Sequence, residues 1–351
     1  MNTLKNLNTI KVLVLAMLFA VPFVAVAQDE MEEPSFSISG TADVYFRQNL
    51  NLDNTIDNGD GTYTNVAPVS SFANLGGFAL GMANIVGTYE GKNSGVVVDL
   101  VFGPRGSDAV FGSPLYSSTG QTINQLYAYW NASDDVTFTI GNFNTFLGYE
   151  VISPTANFNY STSYMFSYGP FSHTGLKADF ALSDDFSGML AILNPTDVTE
   201  YNPTGDIMFG AQLGYGGAYL NFLAGEDYTQ IDLTAGWDIS DTYYFGINAT
   251  DASYGTDDGF YGVALYNQFS LSDDFAIGAR VEYFNDKQGG ILGFPGEVSA
   301  IDFTLSANIS VGNLTFIPEI RIDSGSEEIF ADMNGTSKSL SSFVLGAAFG
   351  F

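Results

Sequence analysis

Apolar and polar residues alternate along most of the chain with a period of two, which marks strands whose two faces meet different surroundings. From Ser35 onward, Phe36, Ile38, Ala42, Val44 and Phe46 share one face, while Ser37, Ser39, Thr41, Asp43, Tyr45 and Arg47 share the other. In residues 230–239, Ile231, Leu233, Ala235, Trp237 and Ile239 oppose Asp232, Thr234, Gly236 and Asp238. Residues 301–310 set Ile301, Phe303, Leu305, Ala307 and Ile309 against Asp302, Thr304, Ser306 and Asn308. In residues 314–323, Leu314, Phe316, Ile320 and Ile322 oppose Glu319, Arg321 and Asp323. After the first 27 residues no stretch reaches the 18 consecutive apolar residues that a membrane-spanning helix needs.

The breaks between these segments are of two kinds. Seven are tight and rich in Gly, Asn, Asp and Ser, which supply positive φ or bond nearby backbone: 91–95, 131–135, 183–185, 216–217, 240–242, 272–274 and 311–313. Eight others intervene, six of them long: 50–75, 103–121, 144–172, 194–206, 287–299 and 325–338, with two shorter ones around Asp227 and Gly255. Seven turns and eight connections separate sixteen strands, an even number. Short turns on one side, long loops on the other and strands of about 10 residues predict an all-β, antiparallel, up-and-down transmembrane β-barrel with short periplasmic turns and long outer loops. Lipid cannot satisfy backbone N–H and C=O groups, so a spanning sheet has to close on itself and turn its apolar face outward. A secreted sandwich would use shorter strands and gives no reason for turns to alternate short and long. The last strand carries Phe343, Leu345, Ala347, Phe349 and Phe351 on one face. It resembles the terminal strand by which the barrel-assembly machinery recognises its clients, with Phe349 and Phe351 as the insertion signal.

Residues 1–27 read as an address. Lys5 and Lys11 precede an apolar run from Val12 to Val24, and Ala25-Val26-Ala27 is a small-x-small cleavage site. A cleaved signal peptide is expected there, leaving 28–351 as the barrel. Charge changes the picture further: 10 Lys and Arg face 39 Asp and Glu, and losing the two leader lysines takes the net charge from −29 to −31. Yet 46% of residues are hydrophobic and 14% charged, which excludes extended disorder. So few cations exclude nucleic-acid binding. With no Cys and a single His, thiol catalysis, Cys-zinc and paired-His metal sites are out of reach, so no metal or cofactor is expected.

Parity assigns strand side chains to faces. With the apolar set toward lipid, the charges expected to line the lumen are Asp43, Arg47, Asp99, Lys177, Asp179, Asp232, Asp238, Arg280, Glu282, Asp302, Glu319, Arg321 and Asp323. Acids outnumber bases among them, and an acidic tube with low-dielectric walls concentrates cations. Some pairs, such as Arg280 with Glu282 or Arg321 with Glu319 and Asp323, are candidates for wall ladders instead.

The connection 144–172 is the longest at 29 residues and holds Pro154, Pro170 and eight aromatics, too apolar to sit in water. Long loops in compact proteins are usually functional. It is expected to fold into the lumen as a constriction loop, with Tyr149, Glu150, Asn157, Asn159 and Tyr160 at the narrowest point. Weaker candidates elsewhere read as structure. Residues 53–61 place Asp and Gly at calcium-loop-like spacing but put Asn58 where an EF-hand needs Gly. His173 has no second His and no G-x-S-x-G partner motif, so no enzyme is expected. Trp130, Trp237, Tyr243, Tyr283 and Phe351 lie near strand ends, where interface girdles form.

Three stretches carry a resemblance: Gly141-Asn-Phe-Asn-Thr-Phe-Leu-Gly-Tyr-Glu150, Asn157-Phe-Asn-Tyr-Ser161 with Ser163, and Phe171-Ser-His-Thr-Gly-Leu176. Together these motifs, about 35 residues, resemble the β-barrel porin-2 family of Gram-negative outer membranes. Where that family often has Arg after Tyr-Ser this chain has Thr162, so an ion preference tied to that Arg does not carry over. The resemblance implies an outer-membrane porin, a passive channel for small hydrophilic solutes or ions, seated in outer-membrane lipid. The lumen charges add a cation preference. A homo-trimer follows only by analogy with other sixteen-stranded porins. The competing expectation is a structural or adhesive surface barrel with a plugged lumen and acidic loops that bind divalent cations.

Overall fold

The computed structural model describes residues 33–110, 120–333 and 335–351. The expected signal peptide, 1–27, and the middle of connection 103–121 lie outside the described residues. Sixteen antiparallel strands close into one barrel. They are β1 (Ser35–Asn49), β2 (Gly77–Glu90), β3 (Ser94–Phe102), β4 (Ile123–Ser133), β5 (Val136–Asn144), β6 (Ser172–Ala181), β7 (Phe186–Leu193) and β8 (Met208–Tyr215). Then follow β9 (Ala218–Ala224), β10 (Tyr228–Ser240), β11 (Tyr243–Tyr254), β12 (Asp258–Ser272), β13 (Phe275–Asp286), β14 (Val298–Val311), β15 (Leu314–Gly325) and β16 (Ser339–Gly350). Each strand pairs with its neighbour in sequence, and β1 pairs with β16, from Thr41 opposite Gly350 to Asn49 opposite Ser342. The seven tight turns and eight wider connections fall where the pattern of Gly, Asn, Asp and Ser put them.

The apolar parity face points outward. Phe78, Leu80, Ile140, Leu190, Ile231 and Leu305 are exposed, whereas Asp43, Arg47, Asp232, Arg280, Asp302 and Arg321 on the opposite parity are buried. Exposed Leu beside buried Arg inverts the order of a water-soluble protein, and it suits a wall whose outer solvent is hydrocarbon. Trp130, Trp237, Tyr283 and Phe351 are exposed near strand ends. The Phe351 N–H donates to the Gly40 carbonyl and the Gly40 N–H to the Phe351 carbonyl, both at 3.0 Å, so the C-terminal residue helps to seal the β1–β16 seam.

Two connections carry short helices, α1 (Pro104–Ala109) after β3 and α2 (Tyr164–Tyr168) between β5 and β6. Two others form small hairpins of their own, at 55–65 and 330–337. In the first, the Asp60 carboxylate accepts from the Thr62 N–H at 2.9 Å, so its acids serve the turn. Among the described residues no three His, Cys, Asp or Glu side chains lie close enough together to hold a metal ion.

Candidate functional site in the barrel lumen

The segment between β5 and β6 lies inside the barrel, packed against β1 and β11–β16. A buried backbone needs partners for its N–H and C=O groups, and between Asn159 and Met165 side chains of the wall and of α1 supply many of them. Glu319 accepts from the Tyr160 N–H at 2.9 Å and the Ser161 N–H at 3.3 Å. Glu282 accepts from the Tyr164 and Met165 N–H groups, each at 2.8 Å, at the start of α2. Arginines take the carbonyls. Arg105 of α1 donates to Tyr160 at 2.8 Å, Arg280 to Ser161 at 2.8 Å and Arg321 to Thr162 at 2.7 Å. Within the segment, Ser163 caps α2 by accepting from the Phe166 N–H at 3.0 Å, and its own N–H goes to Glu150 at 2.8 Å.

The charges that hold this backbone also hold one another. Arg280 reaches Glu150 at 2.6 Å and Asp302 at 2.6 Å, and Arg321 reaches Asp323 at 2.8 Å and Asp302 at 3.7 Å. All four arginines of the chain are buried to within 3% of full occlusion, and three of them, Arg105, Arg280 and Arg321, serve this segment. Arg suits the task because its planar fork can serve a carboxylate and a carbonyl at once. Arg105 also lies over the Phe72 and Tyr160 rings, at 4.6 and 4.9 Å. The Tyr160 hydroxyl donates to the Asp43 carboxylate, and the Tyr164 hydroxyl donates to Asp323 at 2.8 Å. Burial first, and then the adjoining carboxylate, holds both phenols well above the ordinary tyrosine range, so both remain donors across any working pH.

Glycines make room for the loop. A Cβ at Gly246, Gly262, Gly278 or Gly346 would fall within 3.0 Å of Tyr149, Met165, Phe158 or Tyr160 respectively. Inward glycines in a strand mark where another chain segment approaches closely, and these four lie on β11, β12, β13 and β16.

The five loop residues expected together at the narrowest point are in fact divided. Tyr149 stacks on Tyr266 at 4.1 Å between ring centres, shares a 2.9 Å hydrogen bond with the Tyr244 hydroxyl, and borders an open cavity. Glu150, Asn159 and Tyr160 are buried and serve as fasteners, Asn159 through a 2.8 Å bond to Ser306 on β14. Asn157 closes a turn inside the loop by accepting from the Val151 N–H at 2.9 Å. The reason is packing: a loop of this apolarity covers the polar wall, so its polar side chains turn to that wall.

The charges placed inward by parity divide in the same way. Asp43, Arg47, Asp99, Asp232, Arg280, Glu282, Asp302, Glu319, Arg321 and Asp323 are buried under loop and neighbouring side chains. They therefore do not border open water. Asp99 accepts from Asn124 at 2.7 Å, and Asp232 from the Gly148 N–H, Asn221 and Asn248 at 2.7–2.9 Å. Arg47 donates to the Val66 carbonyl and Asn49. Lys177 and Asp179 pair at 2.8 Å and are partly exposed, and Asp238 is exposed near the short turns. His173 is buried against Phe143 and Phe146, with Nε2 at 2.9 Å from the Thr145 hydroxyl.

Among the described residues, an open cavity lies beside the loop, against β8–β11. This cavity of about 580 Å³ is lined by Phe146, Gly148 and Tyr149 of the loop and by Gln212, Gly217, Tyr219, Thr234, Ala235, Gly236 and Tyr244 of the wall. Of the lining, Tyr149 is among the expected constriction residues; the other uncharged lining residues and Arg105 are not among the expected site residues. The inward parity of Gln212, Thr234 and Tyr244 could have marked the first group. The scarcity of arginine could have marked the second.

Where the loop rejoins the wall, Asp197 from the connection after β7 fastens it, accepting from the Phe171 and Ser172 N–H groups at 2.9 Å each. Asp197 sits at φ 60, and burial pushes its carboxyl up to about 6 against the pull of the Ser172 and Phe171 donors. An acid raised on folding favours the fold fully below its unfolded value near 4, and that contribution is lost as pH rises through about 6. Asp197→Asn keeps the accepting carbonyl and tolerates the left-handed backbone. The variant is therefore expected to gain on the wild type by about 1–2 kcal/mol between pH 5 and pH 7. Urea unfolding at stepped pH checks this; a stability difference independent of pH would contradict it.

A closed sixteen-strand barrel with an apolar exterior and a chain segment folded into its interior is the architecture of an outer-membrane porin. The chain belongs to the family described as putative beta-barrel porin-2, OmpL-like, which matches residues 35–351. In fold it is similar to the anion-selective porin from Comamonas acidovorans, with a TM-score of 0.58 and 12% identity over 91% of this chain and 100% of that one. It is similar also to the loop L8 deletion mutant of OmpT, an outer membrane protein of Vibrio cholerae, at TM-score 0.56 and 11% identity, again over 91% and 100%. The in-vitro folded trimer form of Vibrio cholerae OmpT gives 0.54 and 10% over the same shares. Identities this low speak to fold alone. No curated protein sequence matches the chain.

Proposed function

We propose that the chain is a passive diffusion channel in the outer membrane of a Gram-negative bacterium, admitting small hydrophilic solutes or ions and favouring cations. The observation that carries the reading is the open cavity beside a loop whose one charge, Glu150, pairs with Arg280 and whose backbone is held by charged wall side chains. A loop clamped through its backbone stays in place, and the space it leaves is polar enough to hold water. Family membership and the fold neighbours support a channel rather than an enzyme. The trimer form of Vibrio cholerae OmpT supports a homo-trimer.

The support for cation preference moves from the wall to the rim. Arg280 and Arg321 pair with Glu150, Asp302 and Asp323, and Asp43, Asp99, Asp232 and Glu319 lie under cover on neutral donors. Exposed Asp134, Asp135, Asp184, Asp185, Asp241, Asp273 and Asp274 ring the short-turn end, where Lys92 is the one cation among the described residues. A mouth of one sign raises the local concentration of counter-ions. The expected outcome is a reversal potential of the sign set by cations for purified protein under a tenfold KCl gradient, shrinking as salt screens the rim. An anion-favouring potential would reject the preference.

The alternative, a structural or adhesive barrel with a plugged lumen, draws on the dense packing of Tyr164, Met165, Phe260, Tyr266 and Phe284 beneath α2. It predicts no conductance.

A further inference from the structure

We propose that the cavity beside the loop is a binding subsite for neutral polyhydroxylated solutes, of mono- to disaccharide size, on their way through the channel. The inference rests on the channel reading and adds a substrate class to it. Its basis is the chemistry of the lining. Carbohydrates present apolar C–H faces and a rim of hydroxyls, so a site that holds them offers aromatic faces together with neutral donors and acceptors. Here Phe146, Tyr149, Tyr219 and Tyr244 supply the rings, and Gln212 and Thr234 supply an amide and a hydroxyl.

The rings are built in rather than incidental. Each lies against an inward glycine: a Cβ at Gly210 would meet Phe146, one at Gly214 would meet Tyr219, one at Gly236 would meet Tyr244 and one at Gly246 would meet Tyr149. Glycine at these positions lets the rings lie close to the wall; Tyr149 is also stacked on Tyr266 and Phe146 packs near His173, so Tyr219 is the ring with the most open face. Tyr219 is 41% exposed although it shares the inward parity of buried Asn221 and Leu223, so its ring faces space inside the barrel. Tyr149 and Tyr244 are fixed by their shared hydroxyl contact, and Gln212 is oriented by a 2.8 Å bond to Asn221. Preorganised groups of this kind bind at lower entropic cost.

Charge decides against other solutes of similar size. Asp232, which accepts from Gly148 of the lining, is buried and accepts three hydrogen bonds; Asp238, opposite Tyr244, is exposed outside the lining, and no Lys or Arg lines the cavity. Anionic substrates find no cation, and cationic ones find no exposed carboxylate within the lining. A volume of about 580 Å³ falls in the range of small-molecule sites.

The test is ion current through purified protein in a planar bilayer, titrated with maltose. Saturable, concentration-dependent block is expected, with Tyr219→Ala and Phe146→Ala weakening half-block about tenfold, the worth of one stacked ring. Tyr219→Phe keeps the ring and should stay within about threefold of wild type, since a single neutral hydroxyl contributes little. Heat-modifiable migration of each variant establishes that the barrel has closed. A current that falls only in proportion to solution viscosity, or block that is unchanged in both alanine variants, would overturn the subsite while leaving the channel standing. Silence before any sugar is added would overturn both.

Discussion

Arg280→Met is expected to be the most damaging single substitution in the barrel, costing about 3–5 kcal/mol of stability. Arg280 is fully buried and donates to Asp302 on β14, to Glu150 in the loop and to the Ser161 carbonyl. Methionine fills much of the volume but leaves two carboxylates and a carbonyl in a dry interior without their donor. Breaking one side of such a network costs far more than the network contributes when whole, because the stranded charge keeps its desolvation penalty. Adding Glu150→Gln to the variant removes one stranded charge, so the double variant should recover part of the loss. Urea titration of the refolded barrel in micelles measures both. A single-variant loss under about 0.5 kcal/mol, the size of a surface change, would mean that the network does not hold the loop.

How much of this was readable beforehand depends on what a period of two encodes. It records which face a residue occupies, and the barrel follows from that together with turn chemistry: Val311-Gly312-Asn313 has the composition of a tight turn, and Gly312 takes φ +61 there. Parity also put Arg280 and Asp302 inside. It could not say that Glu150, 130 positions away in a loop, completes the same group, because that contact is fixed by where the loop lies and not by local pattern. Nor does a period encode cover. An inward Asp302 reads the same whether it meets water or a guanidinium, so parity alone does not show that Arg280 and Arg321 pair with Asp302 or that Asp43, Asp99 and Glu319 lie under cover. The glycines carried a signal that went unused. Gly262, Gly278 and Gly346 stand at inward positions in mid-strand, where no turn needs them, and mid-strand glycine points to a close neighbour. They trace the floor on which the loop lies.

Removing residues 150–168 should have the largest effect on transport. The deletion takes away Tyr160, α2 and the whole clamped backbone, leaving Thr145–Tyr149 joined to Gly169–Ser172. A bare barrel of sixteen strands encloses an aqueous channel, so conductance is expected to rise about threefold or more. Glu319, Glu282, Arg280 and Arg321 would then stand in water. The deleted channel should accordingly show stronger dependence on salt and a selectivity set by the wall as well as the rim. The barrel should be less stable, because the loop's eight aromatics leave with their contacts or lose them.

Side-by-side single-channel recording of the full chain and the 150–168 deletion in planar bilayers tests the central claim most directly. The account predicts steady conductance steps from the full chain, held over a range of voltages because the loop is fastened at both its N–H and C=O groups, and larger steps from the deletion. Silence from the full chain with conductance only after deletion would contradict it and identify the loop as a plug.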